Sequence, residues 1–285
     1  MPTDIPVIDT LVAIYDTPSA LYDRIRPQLR DETGPAAVPT SYLFDKGAAI
    51  TDIDNLIPSV LHQMDRFNVE RAMIEVSDDM LLAQRALTQH PDRFFASYTA
   101  DPNGGMAEVR TIIRMKREWD IKAVTAYPML GNPPRHLKHR NWYPIYAKCV
   151  ELGLPFVPTM GVPGPRVPFG PQDVANLDEI CYFFPELTVV TRHGCEPWVD
   201  LMVKLLQKWP NLYFSTTAFA PKYYAKEIID FANTRGAEKI IYGGYFPIGL
   251  TLERIFAEMP HVPLRDHVWP LFLRDNARRV FGLDK

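Results

Sequence analysis

The sequence predicts an α/β protein of the (β/α)8 (TIM) barrel class, and three observations carry that prediction. Eight times, a short apolar run rich in β-formers gives way to a stretch with helical spacing, within about 250 residues. An open doubly wound sheet would more typically carry a Gly-rich phosphate loop after its first strand, and none is present. Pro-rich segments over 16–50, 128–142 and 162–172 all follow strand C-termini, the face where barrels of this kind place their sites. With 285 residues, 47% of them hydrophobic, the chain is large enough for one barrel domain over 1–285.

The elements follow in order. "IPVIDTLVAIY" (5–15) reads as the first strand; after a long insertion with Pro18, Pro27, Pro35 and Pro39, "TDIDNLIPSVLHQMDRFN" (51–68) opens on a Thr/Asp cap signal and continues as a helix. "RAMIEVS" (71–77), "RFFASYTA" (93–100) and "IKAVTAYP" (121–128) are the next three strands. Their helices are "LLAQRALTQHP", "MAEVRTIIRMKREW" and "WYPIYAKCVELG", the last ended by Gly153. "PFVPTMG" (155–161), "LTVVTRHG" (187–194), "NLYFSTTAF" (211–219) and "EKIIYGGYFP" (238–247) complete the strands, each with a helical stretch behind it. The tail "WPLFLRDNARRVFGL" reads as a packing element that closes the barrel.

Composition narrows the partners. Thirty-one basic and 34 acidic side chains leave a net charge of −3, no basis for expecting nucleic acid or an anionic membrane. No stretch approaches the roughly 20 apolar residues of a membrane helix, and the N-terminus lacks a signal-peptide pattern. Cys149, Cys181 and Cys195 form no CxxC pair, which fits a reducing compartment. The expectation is a cytoplasmic protein with a small-molecule substrate or ligand.

Chemistry is expected at the strand ends. Among seven histidines only His193 ends a strand; His62, His90, His136, His139, His261 and His267 read as solvated surface residues. An imidazole there suits a general acid/base or a substrate hydrogen-bond donor, against the plainer reading of a buried histidine bonded to a backbone carbonyl. Asp9, Asp78, Asp79 and Glu196 offer carboxylates without metal-site spacing. Glu196 suits the N-terminus of the following helix as well as it suits orienting His193. Lys122 and Cys195 read as structural, and Tyr245 reads as a ligand contact at the mouth.

The segments "KAVTAYPM", "YPIYAKCVELGLPF", "PELTVVTRHGCEPWVD", "KWPNLYFSTTAF", "KIIYGGYFP" and "DNARRVFGL" resemble, in order and spacing, the amidohydrolase superfamily. The similarity is to the branch of aminocarboxymuconate semialdehyde decarboxylase and related aromatic-acid decarboxylases. That resemblance implies a divalent metal on an H-x-H pair after "ID" in strand one, a His after strand five, a His in strand six and an Asp in strand eight. It also implies homodimerisation and small carboxylated or aromatic substrates. Laid on this sequence, the five ligand positions read Leu11, Ala13, Thr159, His193 and Tyr245, of which only His193 keeps the ligand. A single imidazole holds zinc too weakly, so no metal and no other cofactor is expected. Two readings remain. One is a metal-independent lyase or hydrolase (decarboxylation, C–C cleavage, lactone hydrolysis or hydration) with His193 and Asp9 catalytic and Thr159, Arg166, Arg192, Glu196, Trp198 and Tyr245 binding substrate. The other is a non-catalytic relative that binds a small ligand or regulates a partner.

Overall fold

Eight parallel strands run side by side in sequence order in the computed structural model, which describes residues 1–17, 26–29, 43 and 55–283. The strands are β1 (Val7–Asp9), β2 (Val69–Glu75), β3 (Phe94–Thr99), β4 (Ala123–Ala126), β5 (Phe156–Pro158), β6 (Val189–Thr191), β7 (Leu212–Ser215) and β8 (Ile240–Ile241). Helices α1 (Leu56–Arg66), α2 (Leu81–Gln89), α3 (Gly105–Trp119), α4 (Tyr143–Leu152), α5 (Asn176–Phe183), α6 (Val199–Lys208), α7 (Lys226–Ala232) and α8 (Leu252–Glu258) each follow one strand. The alternation is the predicted one. Gly153 ends α4 as expected, at φ 63 with its N–H turned back onto the last turn. The cap signal at 51 and most of the 16–50 insertion lie outside the described residues.

The seam between first and last strands explains why both are shorter than predicted. Past Asp9 the chain leaves the regular ladder, yet Val12 N–H donates to Met73 O and Ala13 N–H to Phe246 O, so it still bridges β2 and the end of the β8 segment. Beyond Ile241, Tyr242 N–H donates to Phe272 O of the tail instead of continuing a ladder. Gly243 and Gly244 let this seam close. A Cβ on Gly243 would lie 2.3 Å from Thr217 Cγ2, and one on Gly244 2.6 Å from Asp9 Oδ2.

The barrel interior changes character along its axis. Ile8, Met73, Phe95, Ala123, Val157, Val190 and Ile241 form an apolar layer at the lower end, capped by Ala277, Phe281 and Leu283 of the tail. The tail is pinned by buried Asn276, whose Nδ2 donates to Ala237 O and Ile240 O at 2.8 Å. Side chains alternate along a strand, so the residues two further on share this inner face. They are Thr10, Glu75, Ser97, Thr125, Thr159, Arg192 and Gly243. Thr10 Oγ1 meets Ser215 Oγ at 3.2 Å within that layer. The lower layer is an ordinary barrel core; the upper one is polar, which a core built for stability alone has no need of.

Candidate active site

The end of β6 turns abruptly. His193, Gly194 and Cys195 all have left-handed backbone, at φ 65, 76 and 61. For the two non-glycines such a conformation costs about 1–2 kcal/mol each, strain of a kind that concentrates at functional sites. The positive φ at His193 breaks the side-chain alternation of β6 and leaves the imidazole across the barrel mouth. There it stands edge-on between Tyr245 (ring centroids 5.7 Å apart) and Tyr127 (6.5 Å).

Thr217, just beyond β7, holds this histidine twice. Its Oγ1 accepts the His193 backbone N–H at 3.0 Å and lies 3.1 Å from the ring Nδ1. With the N–H already accepted, the arrangement that uses every polar group has the Thr217 hydroxyl donating to Nδ1. The ring proton then sits on Nε2, directed away from Thr217. Burial, and secondarily the neighbouring Arg192 cation, push the His193 pKa down to about 3. Neutral at physiological pH, it is a hydrogen-bond donor and a weak base.

A cavity of about 490 Å³ opens over this ring, with Tyr127, Thr159, His193 and Tyr245 toward the barrel. Its walls are mainly apolar: Met129 and Leu130 after β4, Val162, Pro163 and Pro165 after β5, Phe219 and Leu250. The size and the mix of apolar wall with a few polar groups suit a small organic molecule. The Pro-rich loops after β4 and β5 thus form the wall that their position predicts.

Below the ring, the polar layer holds groups that the protein leaves unsatisfied. Arg192 is 3% exposed; its Nη1 donates to Tyr127 Oη at 3.4 Å, while its Nε has no partner. Among the described residues no carboxylate forms an ion pair with it, although burying an unpaired guanidinium costs several kcal/mol. Thr159 Oγ1 and Gln172 Oε1 are also buried without a hydrogen bond, and both residues line the cavity. Tyr15 is buried in the same region, its phenol pushed well up by burial and by the nearby Tyr127, Glu75 and Tyr245.

The structure brings together His193, Thr159 and Tyr245 at the cavity and places Glu196 at its exposed rim, the carboxyl raised by partial desolvation. Arg192 lies beneath it. Trp198 packs on Phe169 and Arg166 is exposed; neither lines the cavity. Asp9 does not join His193 either. Its Oδ1 accepts the N–H of Leu11 (2.9 Å) and of Gly244 (2.8 Å), Tyr242 Oη stands 3.4 Å from Oδ2, and the side chain is fully buried. It holds the seam of the barrel, where a Cβ on Gly244 would lie 2.6 Å from its Oδ2, and it does not line the cavity. Tyr127 and Thr217 sit at strand ends and were within reach of sequence reasoning. Gln172 and Tyr15 carried no signal, since a loop glutamine and a tyrosine after an apolar run are ordinary residues.

The metal implied by the resemblance does not fit these residues. Leu11 and Ala13 are buried among hydrophobic side chains and offer no lone pair. Among the described residues no three His, Cys, Asp or Glu side chains converge. The Arg192 cation close to His193 would also repel a divalent ion.

Comparison with known proteins places the fold and the family. The structure superposes on an uncharacterised TIM-barrel protein from Bordetella bronchiseptica with a TM-score of 0.74 at 21% identity, covering 98% of this chain and 99% of that one. A 5-carboxyvanillate decarboxylase from Novosphingobium aromaticivorans, complexed with manganese and 4-hydroxy-3-methoxy-5-nitrobenzoic acid, gives 0.69 at 17% identity over 98% and 97%. A probable 2-pyrone-4,6-dicarboxylic acid hydrolase from Acinetobacter baumannii, with citric acid bound, gives 0.67 at 15% over 98% and 100%. No curated protein sequence matches. The family profile described as amidohydrolase matches residues 47–283, most of the chain, and this protein therefore belongs to the amidohydrolase family.

Proposed function

We propose that the protein is a metal-independent lyase or hydrolase acting on a small carboxylated or aromatic compound, with His193 as the proton-handling group. The observation that carries this reading is the setting of His193: a residue with left-handed backbone, held by Thr217 through its backbone N–H and its ring Nδ1, beneath a cavity of about 490 Å³ and amid hydroxyls and phenols instead of metal ligands. Decarboxylation and lactone hydrolysis are the reactions that structural neighbours suggest. In decarboxylation the electron pair of the breaking C–CO2 bond stays on carbon and takes up a proton; in lactone hydrolysis negative charge develops on the carbonyl oxygen, which a neutral imidazole N–H and nearby phenols can stabilise without a metal. His193 donates from Nε2 to that oxygen, and Thr217 holds the tautomer in place. Thr159 and Tyr245 contact substrate; Arg192 binds from below; Glu196, Arg166 and Trp198 act at or outside the rim. Asp9 holds the barrel seam through Leu11 and Gly244 and does not touch substrate.

The test is turnover of 5-carboxyvanillate and 2-pyrone-4,6-dicarboxylate in the presence and absence of a chelator. Turnover that survives the chelator and falls by about 100-fold or more in His193→Ala supports the reading. Chelator-sensitive turnover, or turnover indifferent to His193, overturns it. The low His193 pKa favours a second reading, a non-catalytic ligand binder, because so weak a base contributes little to proton abstraction. We further propose a single barrel domain over 1–285, a homodimer, and a cytoplasmic location. The three cysteines, all buried and free, accord with a reducing compartment.

A further inference from the structure

We infer that Arg192 and Thr159 form a seat for the carboxylate of the bound compound at the inner end of the cavity, and that this fixed guanidinium supplies the positive charge that a divalent metal supplies elsewhere. The inference rests on reading the cavity as the substrate site, and it goes further by naming the anion and the groups that take it.

Thr159 and Arg192 are partners in a parallel bridge just past β5 and β6, with Arg192 N–H on Pro158 O and Met160 N–H on Arg192 O. Both side chains follow the interior residues Val157 and Val190 by two positions and so share the inner face. Both are 3% exposed, and both hold a buried polar atom without a partner: a guanidinium Nε–H and a hydroxyl. Unsatisfied donors beside each other on adjacent strands, one of them charged, are what a carboxylate completes. Thr159 lines the cavity, and Arg192 reaches its wall through Tyr127 Oη. His193 lines the same cavity as Thr159 and directly follows Arg192 in the chain, so a carboxylate held there shares the cavity with the imidazole.

The carboxyl-bearing body of the ligand then lies against Met129, Leu130, Phe219 and Leu250, apolar side chains that accept a ring. A carboxylate also offers Arg192 the ion pair that no carboxylate among the described residues makes with it. A neutral amide of the same shape does not.

The experiment is calorimetric titration of the full-length protein with benzoate and with benzamide, which match in size and differ in charge. Benzoate is expected to bind at least about ten-fold more tightly. Arg192→Met should abolish that preference, and Thr159→Val should weaken benzoate by several-fold while leaving benzamide unchanged. Equal affinity for the two probes in the wild-type protein overturns the inference without any variant, which covers the case that Arg192→Met does not fold. So does a preference for benzoate that persists in a folded Arg192→Met protein. The two readings fail separately: a benzoate preference in a protein that turns over neither trial substrate keeps the seat and sinks the catalytic proposal. Chelator-resistant turnover with no such preference does the reverse.

Discussion

Asp9→Asn should stabilise the protein at neutral pH and leave it almost unchanged in acid. The carboxyl is fully buried, and burial raises its pKa from 3.8 to about 6, against the lowering effect of the Gly244 and Leu11 N–H groups and of Tyr242. Keeping it ionised in the folded state therefore costs about 3 kcal/mol. The folded protein binds this proton more tightly than the unfolded chain does. The contribution is thus fully present below about pH 4 and is lost as pH rises through about 6. Asparagine keeps an Oδ1 for both backbone donors, puts a neutral amide beside Tyr242 and does not titrate. In urea unfolding, the stability of Asp9→Asn relative to wild type should rise from near zero at about pH 4 to about 3 kcal/mol at about pH 7.5. Comparing the two proteins at each pH cancels every other titration. Asp9→Ala strands the two N–H groups and should be less stable than Asp9→Asn throughout, by about 1–3 kcal/mol. A difference that does not change with pH, or an Asn variant as unstable as the Ala variant, refutes the assignment of Asp9 as a buried frame. Benzoate affinity in Asp9→Asn should equal that of wild type, since Asp9 does not line the cavity.

Thr217→Val removes the acceptor of the His193 N–H and the group that fixes its ring; it should cost about 1–3 kcal/mol of stability and shift the imidazole proton resonances, seen by NMR. Gly244→Ala drives a methyl to 2.6 Å from Asp9 Oδ2 and should lower the urea midpoint by the equivalent of about 1–3 kcal/mol. Asn276→Ala leaves the Ala237 and Ile240 carbonyls without their side-chain donor and should lower it similarly. Burial pushes the Cys181 and Cys195 thiols up to about 12 and Cys149 higher still, so a disulfide reagent should label none of the three in the native protein at neutral pH and all three in urea.

The barrel was legible because each strand–helix alternation is local, written in ten or so adjacent residues. Strand limits were not, because partners distant in sequence set them. "IPVIDTLVAIY" stops being a regular strand at Asp9, where Gly244, 235 positions away, takes the carboxylate. "EKIIYGGYFP" shrinks to Ile240–Ile241 because Phe272 captures Tyr242 and two glycines fold the chain against Thr217 and Asp9. His193 was legible from its place at the end of an apolar run. Its tautomer and its low pKa were not, since they depend on Thr217 across the β6–β7 boundary and on burial beside Arg192. For Asp9 the sequence shows an acidic residue at a strand end, and the backbone donors it serves, Leu11 N–H and Gly244 N–H, come into view only in the fold.

Metal content of the purified protein, measured by inductively coupled plasma mass spectrometry, tests the central claim most directly. With Leu11, Ala13, Thr159 and Tyr245 at the other ligand positions that the family resemblance implies, and the Arg192 cation beside His193, the protein should carry well under about 0.1 equivalent of zinc, manganese or iron per chain, with no change in His193→Ala. About one equivalent of any of these metals per chain, lost on replacing His193, would contradict it.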